Sequence, residues 1–383
     1  MTTKKNADAI LLTGASGFLA GELIKPLLNL YTESTLYLLL RADSADQLAK
    51  RRDFIIERCS IDSVSAQRII AIAGNIEQTD LGLATDYDKW AATINEIYHS
   101  AATTRFDLNL VQARESNLNG TKNILQFARR AQDLGRFTRL HHVSTAYVSG
   151  NRTGVIKEDE LNCGQDFFNT YEQSKFETEI MLAEARTQLP ITIYRPSIIV
   201  GDSRTGRTAH FHVIYEPMKW VYQGQLSFLP CRPEVKLDIV PVDYVCTAMI
   251  AIGRQDDSVG NTYHITSGPD RSVDLSEMVE LCVKAFNDYN NEIGKPPVSK
   301  PQIVTPEMLE KFEQKKGERY RTFFDQAWQQ MQRHMPYAVS YKIFDDSRTT
   351  AALAGSGISC PTLHDYLTVL IRYGLERQFR TYG

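Results

Sequence analysis

The sequence is short of cysteine and of long apolar runs. Its 383 residues include six widely separated cysteines and no CxxC pair or Cys/His cluster; these are Cys59, Cys163, Cys231, Cys246, Cys282 and Cys360. This spacing argues against a zinc site or a disulfide framework and favours a reducing compartment. No apolar run approaches the roughly 20 residues that span a bilayer, and no secretory pattern follows Met1. We expect a cytoplasmic protein with no metal ion and no transmembrane segment.

An excess of charge of one sign is also missing. Lys and Arg number 43 against 46 Asp and Glu, which leaves a formal net charge of −3. Such a chain has no overall basic field to hold nucleic acid, so we expect no nucleic-acid partner. The 43% hydrophobic content is that of a globular protein and excludes a disordered chain. The length predicts one large α/β unit or a main domain with a substantial appendage.

Buried strands alternate with amphipathic helices over about the first 200 residues. Apolar runs predict strands at 9–12, 35–40, 69–73, 96–99, 139–143 and 191–194, and helical spacing follows most of them, as at 45–59, 117–131 and 171–185. This βαβ alternation predicts an α/β fold of the Rossmann type, a doubly wound parallel sheet with helices on both faces.

The pattern changes after about residue 205. Residues 237–245 are predicted to return to the sheet, 262–266 to form a strand, and the polar segment 290–301 to form a loop. A helix is expected to begin at Thr305, with an aromatic face from Tyr320 to Met331. We predict a dinucleotide-binding domain at 1–205 with a return segment at 235–266. The smaller, mostly helical substrate-binding region is then 206–234 and 267–383.

The turn after the first predicted strand suits a dinucleotide. Gly14, Gly17 and the Ala20–Gly21 pair lie between a strand and a helix. Without side chains in the way, the backbone N–H groups and the helix N-terminus can approach a pyrophosphate. The turn therefore predicts a cofactor site.

The end of the second predicted strand carries information about which dinucleotide binds. An acidic residue there would bind the ribose hydroxyl of NAD, whereas an arginine would accept the 2′-phosphate of NADP. The residue here is Arg41, and Arg51 and Arg52 lie on the following helix. NADPH is favoured, and Asp43 leaves NAD as the alternative.

A phenol and an ammonium group lie four residues apart at Tyr171 and Lys175, which places them on one helix face. The same spacing recurs at Tyr215 and Lys219, but Pro217 lies between them and is expected to spoil a helix interior. Tyr171 is therefore the better candidate for chemistry.

These motifs resemble the extended short-chain dehydrogenase/reductase superfamily, whose marks are a TGxxGxxG turn, a Ser or Thr after the fifth strand and a YxxxK pair. Segments 98–102, 105–107, 117–121, 143–148 and 195–202 resemble the acyl-thioester reductase branch within it. That branch comprises fatty acyl-CoA reductases and the reductase domains of carboxylic acid reductases and nonribosomal peptide synthetases. The resemblance covers about residues 8–270.

The resemblance implies a catalytic set and a cofactor site. By matching position, Thr145, Tyr171 and Lys175 are the catalytic residues and Asn117 is a supporting polar residue. The residues implied to contact NADPH are Gly14, Ser16, Gly17, Phe18, Leu19, Arg41, Arg51, Asn75, Ile76, Ala101, Lys175, Pro196 and Ile198. Two positions depart from the pattern, because Ala20 replaces the third glycine and Asn75 replaces the usual aspartate after Gly74.

The implied reaction is hydride reduction of an acyl thioester, on CoA or on a carrier protein, to an aldehyde and, with a second hydride, to an alcohol. Tyr171 and Thr145 would donate hydrogen bonds to the developing oxyanion, and the Lys175 cation is expected to lower the pKa of the Tyr171 phenol. With no room for an adenylation or carrier domain in 383 residues, we expect the acyl group to arrive activated. The aromatic face at 320–331 would line an acyl tunnel, make peripheral contact with a membrane, or pack in the core.

Two other functions fit the same fold, since fold does not determine function. One is a sugar-nucleotide epimerase, dehydratase or dehydrogenase. A dehydratase would carry an acidic residue after Thr145, where this chain has Ala146. The other is a dinucleotide-sensing regulator without turnover, a class that typically loses the Tyr/Lys pair retained here.

Overall fold

The centre of the molecule is a parallel β-sheet. The computed structural model describes residues 8–305, 307–308 and 335–380. Among them, seven strands form this sheet: β1 (Ala9–Thr13), β2 (Thr35–Leu40), β3 (Ile69–Ala73), β4 (Glu96–His99), β5 (Arg139–Val143), β7 (Ile191–Pro196) and β12 (Thr262–Ile265). Their order is β3-β2-β1-β4-β5-β7-β12, and all neighbouring pairs are parallel.

Helices cover both faces of this sheet. The helices of the described residues, on the sheet and beyond it, are α1 (Phe18–Leu30), α2 (Ala45–Arg58), α3 (Ser63–Ala66), α4 (Tyr87–Thr93), α5 (Leu110–Arg114), α6 (Gly120–Asp133), α7 (Thr170–Ala185), α8 (Tyr215–Tyr222), α9 (Val242–Gly253), α10 (Leu275–Glu292), α11 (Met335–Val339), α12 (Ser347–Leu353) and α13 (Leu363–Glu376). Successive β1 side chains point to opposite faces: Ile10 and Leu12 join the core cluster under α1 and α9, whereas Leu11 joins the cluster under α6 and α7. This explains why every residue of β1 is buried and apolar up to Thr13.

The strand order reverses direction at β1. The chain runs outward from β1 to β3, then crosses back to β4 on the other side of β1, with Thr13 beside His99 in register. In open α/β sheets, ligands bind at the carboxyl edge beside such a reversal. The predicted α/β fold of the Rossmann type is confirmed.

A second body of apolar side chains lies beyond the sheet. Residues of α8, α10 and α13 form most of this core cluster. Small two-stranded sheets border it, formed by β6 (Gly154–Ile156) with β15 (Lys342–Phe344), β8 (Ile198–Val200) with β11 (Ile239–Pro241), β9 (Phe228–Pro230) with β14 (Gln302–Val304), and β10 (Lys236–Leu237) with β13 (Val273–Asp274). The described parts of 206–234 and 267–383 therefore contain the helices expected there.

Three details of the C-terminal half differ from expectation. Segment 237–245 does not rejoin the seven-stranded sheet, because β11 pairs with β8 and the chain turns helical at Val242. The expected loop at 290–301 begins later, since α10 continues to Glu292. The α12 helix packs against α9 and β12 on the dinucleotide side of the molecule. Local sequence patterns do not predict these three features, because each depends on packing between segments that are distant in the sequence.

The predicted aromatic face at 320–331 lies outside the described residues, and so does most of the helix expected after Thr305. Within the described part of the chain, no helix combines the length and the apolar character needed to cross a bilayer.

Candidate active site

The glycine turn joins β1 to α1 at the reversal of strand order. Gly14 has a φ of +77°, and a Cβ added there would lie 2.8 Å from the backbone nitrogen of Ala101, in the loop after β4. The turn is closed by a 2.7 Å hydrogen bond from the Gly17 N–H to the Gly14 carbonyl. Gly17 is the N-cap of α1 and has no side chain to cap the first N–H groups, which leaves them for an anion.

Arg58, at the end of α2, holds this turn from the other side. Its guanidinium donates hydrogen bonds to the carbonyl of Ser16 at 2.7 Å and to that of Ala15 at 2.9 Å. The contact fixes the turn and brings a positive charge beside it. Sequence reasoning does not find Arg58, because the contact spans 42 residues and carries no local motif.

The arginines expected at the 2′-phosphate behave differently from one another. Arg41 and Arg51 are exposed, and among the described residues neither guanidinium has a hydrogen-bond or ion-pair partner. Arg52, in contrast, donates to two backbone carbonyls before and at β3, so its role is structural. Asp43, the residue behind the NAD alternative, is also exposed.

Three further predicted cofactor residues follow the carboxyl ends of β3 and β4. The Asn75 side-chain oxygen accepts a 3.1 Å hydrogen bond from the Glu77 N–H, and Ile76 packs against Gly120. The Ala101 N–H donates to the Thr13 hydroxyl at 3.2 Å. Ala101 is therefore held against the glycine turn, whereas Asn75 and Ile76 follow the outer strand β3 at the same edge of the sheet.

The predicted catalytic residues come together on the other side of the crevice. Thr145 follows β5 and is buried, and Tyr171 is in the first turn of α7, whose N-cap Asn169 accepts a 3.0 Å hydrogen bond from the Glu172 N–H. The Thr145 side chain lies near the Tyr171 phenol, close enough to lower the pKa of that phenol. A threonine hydroxyl and a phenol from separate segments of the chain thus meet, as the family resemblance implies.

The titration of Tyr171 differs from expectation. Burial raises the pKa of its phenol to about 12, and the neighbouring Thr145 side chain only partly opposes this rise. The Lys175 ammonium is directed elsewhere, donating to the Val143 carbonyl at 2.7 Å and to His142 Nε2 at 3.2 Å. The expected lowering of the Tyr171 pKa by Lys175 is therefore wrong for this structure.

Lys175 is itself perturbed. Burial lowers the pKa of its ammonium group to about 8, and the nearby Glu179 carboxylate opposes this change. Burial, together with the Lys175 charge, also holds the pKa of His142 well below its usual value. His142 is therefore neutral, which allows its Nε2 to accept the ammonium proton in a hydrogen bond.

Two buried residues fix the position of α7. Glu179 forms a salt bridge with Arg195 of β7 at 2.7 Å, with both side chains at most 3% exposed, and also accepts a hydrogen bond from the Ser144 hydroxyl. Asn117 donates to the Ser174 hydroxyl at 2.9 Å and binds both backbone groups of Thr103. Asn117 lies in a π-helical turn, a distortion that is frequent at functional sites.

The second Tyr/Lys spacing also lies on a helix, contrary to expectation. Pro217 is the third residue of α8, where a missing N–H costs no intrahelical hydrogen bond. The Tyr215 hydroxyl accepts a 3.0 Å hydrogen bond from the Gly201 N–H, which follows β8. Tyr215 thus has a structural partner, and Tyr171 remains the candidate.

The fold, the glycine turn and the Thr–Tyr–Lys group define an extended short-chain dehydrogenase/reductase. Residues 12–249 match the profile of the NAD-binding family described as "Male sterility protein", and the chain belongs to that family. The superfamily resemblance seen in the sequence is confirmed.

Two relatives illustrate the range of this family. The chain is 31% identical over 274 residues to the non-canonical nonribosomal peptide synthetase cpsA of Aspergillus campestris, which is 67% of this chain and 25% of that protein. It is 28% identical over 277 residues to the fatty acyl-CoA reductase wat of Drosophila melanogaster, covering 63% of this chain and 53% of that protein. The chain therefore matches only part of either relative.

Solved structures agree with this placement. The terminal R domain from the myxalamid PKS-NRPS biosynthetic pathway is similar with a TM-score of 0.79 at 27% identity, covering 99% of this chain and 93% of that one. UDP-glucuronic acid 4-epimerase from Bacillus cereus, solved with NAD, has a TM-score of 0.64 at 17% identity over 97% of this chain and 100% of its own. The second likeness shows a shared fold only.

The turn at Gly14 should tolerate no side chain. Replacing Gly14 by Ala adds both backbone strain at positive φ and a clash with the Ala101 backbone. Gly135→Ala is the matched control, because Gly135 has a φ of +80° with no atom within 4 Å of the added Cβ. We expect Gly135→Ala to lower the free energy of unfolding by about 1 kcal/mol, and Gly14→Ala to lower it further and weaken dinucleotide binding. Equal losses in urea denaturation and unchanged binding would contradict the assignment.

The buried ammonium of Lys175 should be visible in the pH dependence of stability. Between its folded pKa of about 8 and the ordinary value of 10.5, the unfolded chain binds a proton that the folded protein does not. Stability therefore rises with pH over this window, by up to about 1.4 kcal/mol per pH unit. In urea denaturation across this window, Lys175→Met should lose this contribution, whereas the exposed Lys122→Met should retain it. Parallel stability curves for wild type and Lys175→Met would show that the pKa is not depressed.

Proposed function

We propose that this protein is an NADPH-dependent reductase of acyl thioesters. The observation that carries the proposal is the meeting of the Tyr171 phenol and the Thr145 hydroxyl beside the buried Lys175 ammonium, at the sheet edge that carries the glycine turn. The names of the relatives agree with this, since they include a fatty acyl-CoA reductase and a nonribosomal peptide synthetase.

The residues around the crevice fit a dinucleotide. The uncapped start of α1 and the neighbouring Arg58 guanidinium would hold the diphosphate, and Lys175 would hold the nicotinamide ribose. The exposed guanidinium groups of Arg41 and Arg51 favour NADPH over NADH, because each can pair with a 2′-phosphate. Pro196 and Ile198, at the end of β7 and the start of β8, would lie beside the nicotinamide.

Bound NADPH would supply the hydride that reduces the thioester carbonyl carbon. Tyr171 and Thr145 would donate hydrogen bonds to the oxygen as negative charge develops there, and the Tyr171 phenol would transfer its proton to that oxygen. The pKa of about 12 keeps this phenol protonated at neutral pH, ready to donate. Lys175 orients the site through its hydrogen bonds to Val143 and His142. Collapse of the resulting hemithioacetal expels the thiol and leaves an aldehyde, which a second cycle would reduce to the alcohol.

The thioester partner is either acyl-CoA or an acyl chain on a carrier protein. Relatives named as a fatty acyl-CoA reductase and as a nonribosomal peptide synthetase support one source each. The epimerase alternative has only the shared fold in its favour, at 17% identity. The regulator alternative does not account for the Thr145–Tyr171 contact.

The region beyond the sheet is the proposed substrate-binding region, at 206–234 and 267–383, with the dinucleotide-binding domain at 1–205 and 235–266. We assign α12 to the dinucleotide-binding domain instead, because this helix contacts α9 and β12. The cytoplasm remains the proposed compartment, which the six free cysteines support.

Removing the phenol of Tyr171 should abolish most turnover. Tyr171→Phe is expected to lower kcat for thioester reduction by about 100-fold or more, because a general acid typically contributes that much. Dinucleotide binding should be unchanged. The assay follows NADPH oxidation with acyl-CoA and acyl-carrier thioesters, and Tyr215→Phe is the control for loss of a buried phenol. Full activity in Tyr171→Phe would refute the proton-donor role, and no oxidation with any thioester in wild type would refute the proposed function.

Charge at the end of β2 should decide cofactor preference. Arg41→Ala is expected to raise the KM for NADPH by about tenfold or more, as a lost charge-assisted hydrogen bond predicts, without affecting NADH. Asp43→Asn tests the alternative, since it should weaken NADH binding only if Asp43 holds the ribose. A preference for NADH in wild type, lost in Asp43→Asn, would reverse the assignment.

A further inference from the structure

An apolar cavity of about 100 Å³ lies between α8, α10, α11 and β8, outside the catalytic group. None of its described lining residues is charged, and the polar atoms among them are the Tyr337 hydroxyl and the Cys282 thiol. Its walls therefore suit an uncharged, flexible, apolar guest.

The cavity is elongated along α10. The lining side chains of this helix recur on one face from Leu275 to Phe286, with Met278, Val279 and Cys282 between them. At about 1.5 Å per residue, this stretch of helix is roughly 16 Å long. Helix α10 therefore borders the cavity over this length, and we call the cavity the apolar channel.

One end of the channel lies at the segment proposed to contact the nicotinamide. Ile198, Leu237 and Leu275 line this end, and Ile198 is the strand-end residue proposed to lie beside the nicotinamide. The opposite end is marked by Phe286, whose ring packs against the Tyr222 ring of α8 at 5.3 Å. The channel therefore leads away from the reaction site.

Tyr337 connects the channel to the start of α7. Its hydroxyl donates a 2.6 Å hydrogen bond to Glu172, the neighbour of Tyr171, and its ring lies 6.3 Å from that of Phe106. Phe106 in turn lies 5.9 Å from the Tyr171 ring. Phe106 thus lies between the Tyr171 ring and Tyr337 in the channel wall, so the catalytic group and the channel are neighbours.

We propose that this channel binds the acyl chain of the substrate and selects an unbranched aliphatic chain over one that carries charge. This inference rests on the proposed function, and it adds the substrate class. A charged or peptidyl group would have to give up its water against walls that offer almost no polar partner, which is costly. Each methylene placed in the channel is expected to raise kcat/KM by about fourfold, until the chain reaches Phe286.

The first test compares two substrates of equal chain length. Octanoyl-CoA and suberyl-CoA differ only by a terminal carboxylate, so octanoyl-CoA should be reduced with a kcat/KM at least about 100-fold higher. A butyryl, octanoyl and dodecanoyl series should show rising kcat/KM. Equal rates for the octanoyl and suberyl thioesters, or a preference for aminoacyl thioesters, would overturn the proposal while leaving thioester reduction intact.

The second test blocks the channel. Cys282→Phe places a ring within the channel and should lower kcat/KM for dodecanoyl-CoA by about tenfold or more while sparing butyryl-CoA. Lys284→Phe is the matched control, because it adds the same ring at an exposed position of α10. If Cys282→Phe does not fold, Val221→Phe blocks the channel from α8. A loss that is equal for short and long chains would refute the channel.

A binding measurement separates this inference from the proposed function. S-dodecyl-CoA, a thioether that cannot be reduced, should bind to wild type in calorimetry and lose affinity in Cys282→Phe but not in Lys284→Phe. If no thioester is reduced but this pattern of binding holds, the channel assignment stands and the reductase function fails. If thioesters are reduced but blocking the channel leaves thioether binding unchanged, the channel assignment fails.

Discussion

The buried salt bridge between Glu179 and Arg195 positions the helix on which the candidate chemistry depends. Both side chains are almost fully inaccessible, and Arg195 also donates to the Glu160 carbonyl, so the pair joins α7, β7 and the loop between β6 and α7. Two desolvated charges add little net stability, but separating them is costly. The helix is therefore held in one position, with Tyr171 at the edge of the sheet and Lys175 beneath it.

The dinucleotide half could be predicted because its signals are local. Parallel strands that are buried on both faces have continuous apolar sequences, and the helices between them follow a 3.6-residue period. Strands β1 to β5 and helix α7 therefore lie where the sequence predicts them. Convergence of Gly14, Thr145 and Tyr171 then follows from topology, since the carboxyl ends of all parallel strands meet at one edge. The family motifs indicate the roles of these three residues, and the strand pattern predicts that they lie close together.

The rest depends on contacts between distant segments. Arg58 binds the glycine turn across more than 40 residues, and no spacing rule marks it. Residues 239–241 look like a strand of the main sheet but pair with β8, because the seven-stranded sheet already has β12 beside β7. Pro217 looks like a residue that would interrupt a helix, whereas α8 begins only two residues earlier. The apolar channel combines β8, α8, α10 and α11, and only their packing creates it.

Burial acts on Tyr171 and Lys175 in ways that suit reduction. Desolvation disfavours the charged form of each group, so it raises the pKa of the phenol to about 12 and lowers that of the ammonium to about 8. At neutral pH the phenol keeps its proton, and so does most of the lysine population. Reduction of a carbonyl needs a proton donor beside the developing oxyanion, whereas oxidation of an alcohol needs a base there. A phenol that keeps its proton beside Thr145 can be the donor that the proposed reduction requires, and the channel would hold the acyl chain of the substrate that is reduced.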